Sequence, residues 1–295
     1  MPDKIIIAGG TGFIGRYLQE KYHNLGYEVK LISRKEGDIQ WGDTKAMVDA
    51  LEGADVVINL AGKSVDCRYN EKNKKEILHS RTETTRQISE AILQCRKPPA
   101  LWINSGTATI YRHAEDRPMT ENQGEIGCGF SVDVAKAWEN AFFERDLPST
   151  RRIVLRISIV LGKNGGAMQP LHNLVRFGLG GKQGNGKQMF SWIHIEDLYR
   201  IIRFVEESDD IQGVYNCASP NPVTNEVMMA TIRDVTGVRF GLPSPEWLLK
   251  IGAGIIKTET ELVLKSRWVL PEKLHEAGFE FKYPELRTAV KEILH

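Results

Sequence analysis

A glycine cluster near the start of the chain constrains the fold more than any other feature. Residues 9–15 read Gly-Gly-Thr-Gly-Phe-Ile-Gly, directly after an apolar run and directly before an amphipathic stretch. Between a buried strand and a helix, such glycines permit a tight turn that lets the backbone approach a pyrophosphate, and the helix N-terminus then presents free N–H groups. A second strand about 20 residues further on completes a dinucleotide-binding context, with an ordinary glycine-rich loop as the alternative. The predicted contacts are Gly9, Thr11, Gly12, Phe13, Ile14 and Gly15.

Short apolar runs alternate with longer amphipathic stretches through the first half of the chain. Strands that alternate with helices indicate parallel βαβ units, and apolar runs without alternation suit strands buried on both faces. The sequence therefore predicts an α/β fold with a doubly wound parallel sheet of the Rossmann type. The predicted strands cover residues 4–8, 28–32, 56–60, 101–104, 153–157 and 214–218, and the predicted helices cover 12–25, 44–51, 81–94 and 131–145.

The second half of the chain is less regular. Five glycines occur in the nine residues 178–186, which indicates a loop, and prolines interrupt the stretch after residue 221. A substrate-binding lobe on a nucleotide-binding core is the simplest organisation. We expect a Rossmann domain over residues 1–162, joined by a strand near 213–218. A smaller α/β lobe would cover 163–295 and include a C-terminal tail from about 243 to 295.

Charge and composition narrow the functional classes. The 295 residues include 39 Lys+Arg and 38 Asp+Glu, so no overall field attracts nucleic acid or an anionic membrane. The four cysteines form no CxxC pair, which argues against metal and redox motifs and favours free thiols in a reducing compartment. No apolar run approaches the roughly 18 residues of a membrane span, and the N-terminus lacks a signal-peptide pattern. We expect a cytoplasmic protein with neither a metal nor a nucleic-acid or membrane partner.

The end of the second predicted strand indicates which dinucleotide is bound. NAD enzymes commonly place an acidic residue there for the ribose 2′-hydroxyl. This chain has Ser33, Arg34 and Lys35 instead, a hydroxyl followed by two cations. Arg34 can make forked hydrogen bonds to a phosphate and can stack on adenine. Ser33 and Arg34 therefore predict NADP(H) as the cofactor, against the alternative of a solvated surface pair.

Further motifs resemble those of the extended short-chain dehydrogenases/reductases over nearly the whole chain. Asn59-Leu60-Ala61-Gly62 resembles the family's NxAG segment, so the resemblance adds Leu60, Ala61 and Gly62 to the cofactor contacts. Residues 105–111 resemble the segment with the catalytic Ser or Thr, a role that falls on Thr107.

Three more segments resemble one atypical branch of that family. They are residues 191–197 (Ser-Trp-Ile-His-Ile-Glu-Asp), 267–271 (Arg-Trp-Val-Leu-Pro) and 283–286 (Tyr-Pro-Glu-Leu). The branch is epimerase/dehydratase-like or SulA-like, and includes proteins similar to nucleoside-diphosphate-sugar epimerases with a C-terminal domain of unknown function. The family often forms dimers through helices beside the sheet, so the resemblance makes a homodimer one option, and the sequence leaves the oligomeric state open.

The chain departs from the family's Tyr-x-x-x-Lys signature. The lysine is present as Lys136, but Val132 takes the place of the tyrosine. In the family, this lysine holds the nicotinamide ribose, and the tyrosine transfers the proton that accompanies hydride transfer; valine has no ionisable group. The resemblance therefore assigns Lys136 the ribose contact, with an ordinary surface lysine as the alternative. Either another acid replaces the tyrosine, or the reaction needs none, or the protein binds NADP(H) without turnover.

Several residues are candidates for the missing proton donor. Tyr111 follows a strand at its C-terminal end, where doubly wound sheets bind ligands, with a packing or substrate-contact role as the alternative. A histidine such as His194 can act as an acid near neutral pH, with a structural histidine bonded to the backbone as the alternative. Asp197 could orient it in a helix or could cap that helix. Asp133 lies about 100° around the helix from the valine, which favours a role at the helix dipole instead. The catalytic candidates are Thr107, Lys136, Tyr111 and His194.

The glycine-rich segment 180–188 precedes His194 and carries two lysines. Its amides and lysines could hold an anionic substrate group, although its Gly-Asn-Gly core is also an ordinary hairpin turn. Gln188, Ser191 and Trp192 are candidate substrate contacts by position. The sequence as a whole predicts an NADP(H)-binding oxidoreductase or epimerase-like enzyme with a small-molecule substrate. The alternative is an NADP(H)-sensing or partner-binding protein without catalysis.

Overall fold

The computed structural model describes residues 3–35, 37–247, 249 and 261–295 of the chain. The strands are β1 (Lys4–Ala8), β2 (Glu28–Ser33), β3 (Ile39–Gln40), β4 (Val56–Asn59), β5 (Leu101–Thr107), β6 (Arg151–Ile157), β7 (Ile159–Gly162), β8 (Gly165–Gly166), β9 (Met189–Phe190), β10 (Trp192–His194), β11 (Gly213–Cys217) and β12 (Val223–Thr224). The helices are α1 (Phe13–Asn24), α2 (Thr44–Leu51), α3 (Glu71–Gln94), α4 (Phe130–Phe143), α5 (Met168–Arg176), α6 (Ile195–Glu207), α7 (Asn225–Val235), α8 (Glu261–Leu264), α9 (Glu272–Glu276) and α10 (Leu286–Leu294), with a 3₁₀ turn at Ala108–Ile110.

Seven parallel strands form the central sheet, in the order β11-β6-β5-β4-β1-β2-β3. The predicted α/β fold with a doubly wound Rossmann-type sheet is confirmed. The strand order changes direction between β1 and β4, so a crevice opens at the carboxyl ends of these two strands, where such sheets bind ligands. The outermost strand, β11, comes from the second half of the chain and pairs with β6.

Apolar side chains cover both faces of this sheet. On one face, α1 and α6 contribute Leu18 and Ile201 to the cluster that contains Ile5. On the other face, α2, α3 and α4 pack, and Ile88 shares a cluster with Ile6. Successive residues of a strand point to opposite faces of the sheet. Because helices cover both faces, the adjacent β1 residues Ile5 and Ile6 are both buried. This double burial explains why the run shows no alternation of apolar and polar residues.

A second apolar core lies in the lobe built on α5, α7 and α10. It contains Leu161, Met168, Trp192, Met228 and Val290. Two small sheets, β10-β7-β8 and β12-β9, contribute to this lobe. The chain enters the lobe after β6, returns to the sheet for α6 and β11, and then enters the lobe again.

Over the described ranges, no helix is both long enough and apolar enough to cross a membrane. The same residues contain no group of three or more His, Cys, Asp or Glu side chains that could hold a metal ion. All four cysteines are free thiols.

Candidate functional site

Close backbone approaches shape the glycine turn between β1 and α1. Gly9 has a φ of +77°, and a Cβ there would lie 2.8 Å from the carbonyl carbon of Leu60. A Cβ on Gly15 would lie 2.4 Å from the carbonyl oxygen of Gly10, so α1 packs directly against the turn. At Gly12, the N-cap of α1, the nearest atom to such a Cβ is 3.5 Å away. Gly9 and Gly15 are therefore needed for the fold, whereas Gly12 leaves space over the helix N-terminus.

A cavity of about 500 Å³, which we call the turn cavity, lies over this turn. The predicted cofactor contacts that line it are Gly9, Gly12, Phe13, Ile14, Gly15, Leu60 and Gly62. Thr11 is exposed outside the lining. Ala61 is buried, and its amide donates to Asn59 Oδ1 at 3.0 Å. The turn cavity is thus bounded by the two backbone segments that follow β1 and β4.

Ser33 and Arg34 lie at the carboxyl end of β2, the strand beside β1. The Ser33 hydroxyl is buried and makes no hydrogen bond among the described residues. A hydrogen bond from Lys63, and more weakly the charges of Lys72 and Arg34, lower the pKa of the Glu76 carboxyl. Lys63 also lines the turn cavity. The unpartnered hydroxyl of Ser33 and the neighbouring cation of Arg34 at this edge fit a phosphate monoester.

A second cavity of about 360 Å³, which we call the inner cavity, adjoins the first. Thr107 lines it at the end of β5, and its hydroxyl oxygen accepts a hydrogen bond from the Thr109 amide at 3.2 Å. The Thr107 O–H therefore remains available to a ligand. The two cavities share five lining residues: Ile14, Val65, Arg81, Trp138 and Val160.

A buried hydrogen-bond network fixes the wall between these cavities. Asn59 Nδ2 donates to Asn104 Oδ1 at 2.7 Å and to Thr85 Oγ1 at 3.2 Å. Trp138 Nε1 also donates to Thr85 Oγ1, at 3.1 Å. The network joins β4, β5, α3 and α4. It therefore fixes the position of the backbone turn after β4 and the orientation of the Trp138 indole, which lines both cavities.

Helix α4 presents Ser131, Val134 and Trp138 to the inner cavity. Lys136 lies about 160° around the helix from Trp138, given 3.6 residues per turn, and its side chain is exposed. Val132 is buried in a separate apolar cluster beside the 3₁₀ turn. The structure therefore does not bring Lys136 to the cleft, because packing of the apolar residues of α4 turns this position toward solvent.

Tyr111 and Asp133 also lie outside the lining of both cavities. The Tyr111 hydroxyl is buried, donates to Asn216 Oδ1 at 2.9 Å and accepts from Arg156 Nη1 at 2.8 Å. Burial raises the pKa of this phenol, against the opposing charge of Arg156. Asp133 is exposed in the first turn of α4. The Tyr111 hydroxyl therefore has two hydrogen-bond partners within the protein.

His194 is the N-cap of α6 and also lies outside both cavities. Its Nδ1 accepts from the Glu196 amide at 3.1 Å, which leaves the proton on Nε2 to donate to Glu292 at 2.9 Å. Burial lowers the pKa of this imidazole. Asp197 neither orients His194 nor caps α6, since its two oxygens accept from the amides of Lys282 and Tyr283 at 2.7 and 2.8 Å. Both side chains hold the backbone in place.

The glycine-rich segment 180–188 packs against the rest of the lobe. It contains a tight turn, but two of its amides donate to backbone carbonyls of residues 242–244, at 3.1 and 2.9 Å. Gln188, Ser191 and Trp192 are buried, and each donates to a backbone carbonyl at 2.8 to 3.1 Å. None of these three lines the two cavities. The structure thus gives them packing contacts in place of the predicted substrate contacts.

Two ionisable side chains line the inner cavity within the described part of the chain, Tyr69 and Arg81. The Tyr69 ring packs edge-on against Phe130, with centroids 5.0 Å apart. Sequence reasoning missed both residues, because the polar stretch between the NxAG-like segment and the predicted helix at 81–94 carries no recognisable motif. The available signal was the presence of two ionisable side chains, Tyr69 and Arg81, in the stretch of chain that follows β4.

Comparison with known proteins adds a family context to this geometry. Residues 5–218 match the model of the NAD dependent epimerase/dehydratase family, and residues 244–293 match a domain of unknown function, DUF1731. The human epimerase family protein SDR39U1 is 34% identical over 298 residues, covering 99% of both chains. The epimerase family protein YfhF of Bacillus subtilis is 32% identical, covering 98% of this chain and 97% of the relative. A crystal structure of human SDR39U1 (isoform 2) with NADPH has a TM-score of 0.89 and 33% identity, covering 98% of each chain.

Proposed function

Because the chain belongs to the NAD dependent epimerase/dehydratase family, we propose that it binds NADP(H) in the turn cavity and catalyses an oxidoreductase or epimerase-like reaction in the inner cavity. The observation that carries this proposal is the connection between the two spaces. A turn shaped for a dinucleotide adjoins a second cavity, and five residues line both. The dinucleotide can then extend from the glycine turn toward a small molecule beside Thr107.

The residues of the turn cavity suit each part of the cofactor. Free N–H groups at the start of α1 face the space over Gly12, which suits the pyrophosphate. Ser33 and Arg34 offer a hydroxyl and a cation for the 2′-phosphate. The NADPH in the human relative supports this choice of dinucleotide.

Bound NADP(H) supplies or accepts a hydride at its nicotinamide ring. In the inner cavity, Thr107 would donate its O–H to the oxygen of the reacting carbon. The apolar walls formed by Val134, Trp138 and Ile157 would keep water from this position. The proposal assigns no chemistry to Lys136, Tyr111 or His194, which lie outside the lining.

An NADP(H)-sensing protein without turnover is the second candidate function. It is favoured by the chemistry of the inner cavity, whose lining among the described residues includes neither a carboxylate nor an imidazole. Of the side chains that enzymes commonly use as general acids, the described lining then offers only the phenol of Tyr69.

Binding measurements with the purified protein test the cofactor assignment. Arg34→Ala should raise the Kd for NADPH by about 10-fold or more and leave the Kd for NADH within about twofold, because only NADPH carries the 2′-phosphate. Lys35→Ala, at the neighbouring exposed cation, is the matched control and should change neither value much. Equal losses for the two nucleotides with Arg34→Ala would show that the 2′-phosphate lies elsewhere.

Turnover separates the enzyme from the sensor. Nicotinamide absorbance would be followed while the protein acts on NADPH in a small-molecule extract of its own cell, beside heat-treated protein and Gly12→Val. Oxidation that requires the folded, NADPH-competent protein supports an oxidoreductase. Tight binding without oxidation, and without epimerisation of sugar nucleotides added to the assay, supports the sensor.

A further inference from the structure

Resting on the proposed function, we propose that Arg81 holds the nicotinamide half of NADP(H). Arg81 lies on α3 and lines both the turn cavity and the inner cavity, so it stands where one space passes into the other. A dinucleotide with its pyrophosphate on the glycine turn and its nicotinamide beside Thr107 must pass this point. Arg81 is thus placed to contact the ribose and phosphate oxygens on the nicotinamide side.

The backbone makes room for this guanidinium. A Cβ on Gly62 would lie 3.1 Å from Arg81 Cζ. Because Gly62 has no side chain, the guanidinium can pack directly against the backbone there. The guanidinium also lies over the Trp138 indole, 5.1 Å from the ring centroid. Since the hydrogen bond to Thr85 fixes that indole, the plane of the guanidinium is held as well.

Most of the hydrogen-bonding capacity of Arg81 is unused within the described chain. A guanidinium carries five N–H donors. Nη1 donates to the carbonyl oxygens of Lys63 and Ile77 at 3.1 and 3.0 Å, while Nε and Nη2 make no hydrogen bond with the described residues. Nη2 lies 3.3 Å from the position that a Cβ on Gly62 would take, and Gly62 lines the turn cavity, so this free donor is close to the space that the dinucleotide would occupy.

The charge of Arg81 favours an oxygen-rich ligand. Among the described residues, no carboxylate forms an ion pair with it. Burial lowers the pKa of Arg81 to about 10, so the side chain stays charged at neutral pH although it is largely removed from water. A desolvated cation without a carboxylate gains most from ligand oxygens. The other cation of the turn cavity, Lys63, already binds Glu76 and also donates to Asn73 at 2.7 Å.

Two nucleotides separate a contact with the nicotinamide half from any other role. NADPH carries both halves, whereas adenosine 2′,5′-bisphosphate has the 2′-phosphate and adenosine but lacks the nicotinamide riboside and its phosphate. We would measure the Kd of each for wild type, Arg81→Met and Arg81→Lys. Arg81→Met should raise the Kd of NADPH about 10- to 100-fold and change that of adenosine 2′,5′-bisphosphate by less than about twofold. Arg81→Lys should recover part of the loss, because it keeps the charge without the forked donors.

Two further variants complete the design. Arg176→Met removes an exposed arginine of α5 and is the matched control, which should behave as wild type. Lys136→Met tests the α4 lysine directly. A selective loss of NADPH affinity with Lys136→Met, and none with Arg81→Met, would overturn the inference.

The remaining outcomes are also decisive. An equal loss of both nucleotides in Arg81→Met and Arg81→Lys would assign the residue to the shape of the turn cavity and overturn the inference while leaving the proposed cofactor intact. Unchanged affinities for both nucleotides in Arg81→Met and Arg81→Lys would also overturn the inference and leave the proposed cofactor intact. Wild-type protein that binds neither nucleotide would overturn the proposed function itself. A thermal melt of each variant confirms that the binding values refer to folded protein.

Discussion

Asn59 donates a hydrogen bond of 2.7 Å to Asn104, directly across the pair of strands β4 and β5. Both side chains are fully buried. Asn59 Oδ1 also accepts from the Ala61 amide, so the same side chain fixes the backbone that turns over the cofactor cleft. The pair therefore links the stability of the sheet to the shape of the turn cavity.

Asn104→Ala should lower the free energy of unfolding by about 1–3 kcal/mol, because it leaves the buried Asn59 amide with one partner fewer. It should also raise the Kd for NADPH, since Asn59 is then free to move and Ala61 with it. Urea denaturation and a fluorescence titration measure the two effects. Asn122→Ala, at an exposed asparagine, is the control and should cost less than about 0.5 kcal/mol. Equal stability losses in the two variants would contradict the role of the pair.

Two glycines of the turn should respond differently to a side chain. Gly12→Val should change the free energy of unfolding by about 1 kcal/mol or less, because a Cβ there meets only an ordinary 3.5 Å contact. It should nevertheless abolish NADPH binding, since the valine would fill the space over the helix N-terminus. Gly15→Ala should cost about 2 kcal/mol or more, because its Cβ would lie 2.4 Å from the Gly10 carbonyl oxygen. Urea denaturation and NADPH titration of both proteins check this, and wild-type affinity in Gly12→Val would refute the phosphate site.

The His194 cap should make stability depend on pH. Burial lowers the pKa of His194, against the hydrogen bond to Glu292 and the charge of that residue, so the folded protein favours the neutral ring. Its contribution to stability is fully present above the ordinary pKa of 6.5 and is lost as the pH falls through the lower folded value. His194→Asn keeps an acceptor for the Glu196 amide but does not titrate, so its unfolding free energy should fall less between about pH 7 and 5. Urea denaturation of wild type and His194→Asn across this pH range tests the prediction. If the unfolding free energies of the two proteins fell in parallel, His194 would be excluded as the source of the pH dependence.

Tyr111→Phe should act on stability and leave the cofactor site unchanged. The variant leaves Asn216 and Arg156 without the hydroxyl that joins them, at a cost of about 1–2 kcal/mol in the free energy of unfolding. Its Kd for NADPH should match that of wild type, because Tyr111 lies outside both cavities. Chemical denaturation and nucleotide titration test this. Wild-type stability together with lost NADPH oxidation would instead make the phenol a catalytic group.

The central sheet could be predicted because its strands are apolar runs that stand out locally. The predicted strand over 56–60 differs by one residue from β4. Helix α3 begins at Glu71, ten residues before the predicted start. The prediction missed these first turns because Ile77 and Leu78 are their only apolar residues. The start of the helix depends instead on Asn70, whose side chain accepts from the Asn73 amide at 2.8 Å. The short strands of the lobe contain two to four residues, too few to form a recognisable pattern.

The candidate site was predictable only where it is local in sequence. The glycine turn lies within seven consecutive residues. The residues that line the turn cavity include most of the predicted cofactor contacts. Packing of α4 against α3 and the 3₁₀ turn sets which face of α4 lines the inner cavity. Spacing along the sequence does not encode that packing, and Lys136, which the resemblance places at the ribose, is exposed outside the lining. Arg81 and Trp138 meet only after α3 and α4 have packed together.

The position of β11 has a consequence for how the chain is synthesised. While the ribosome is still translating residues 158–212, strand β6 has no neighbour on its outer side, and the sheet face under α6 is bare until that helix emerges. An open strand edge and an uncovered apolar face are both liable to aggregate. A chain released at residue 162 would keep the glycine turn but would be an aggregation-prone fragment, since the nucleotide-binding sheet completes its fold only when the second half of the protein has been made.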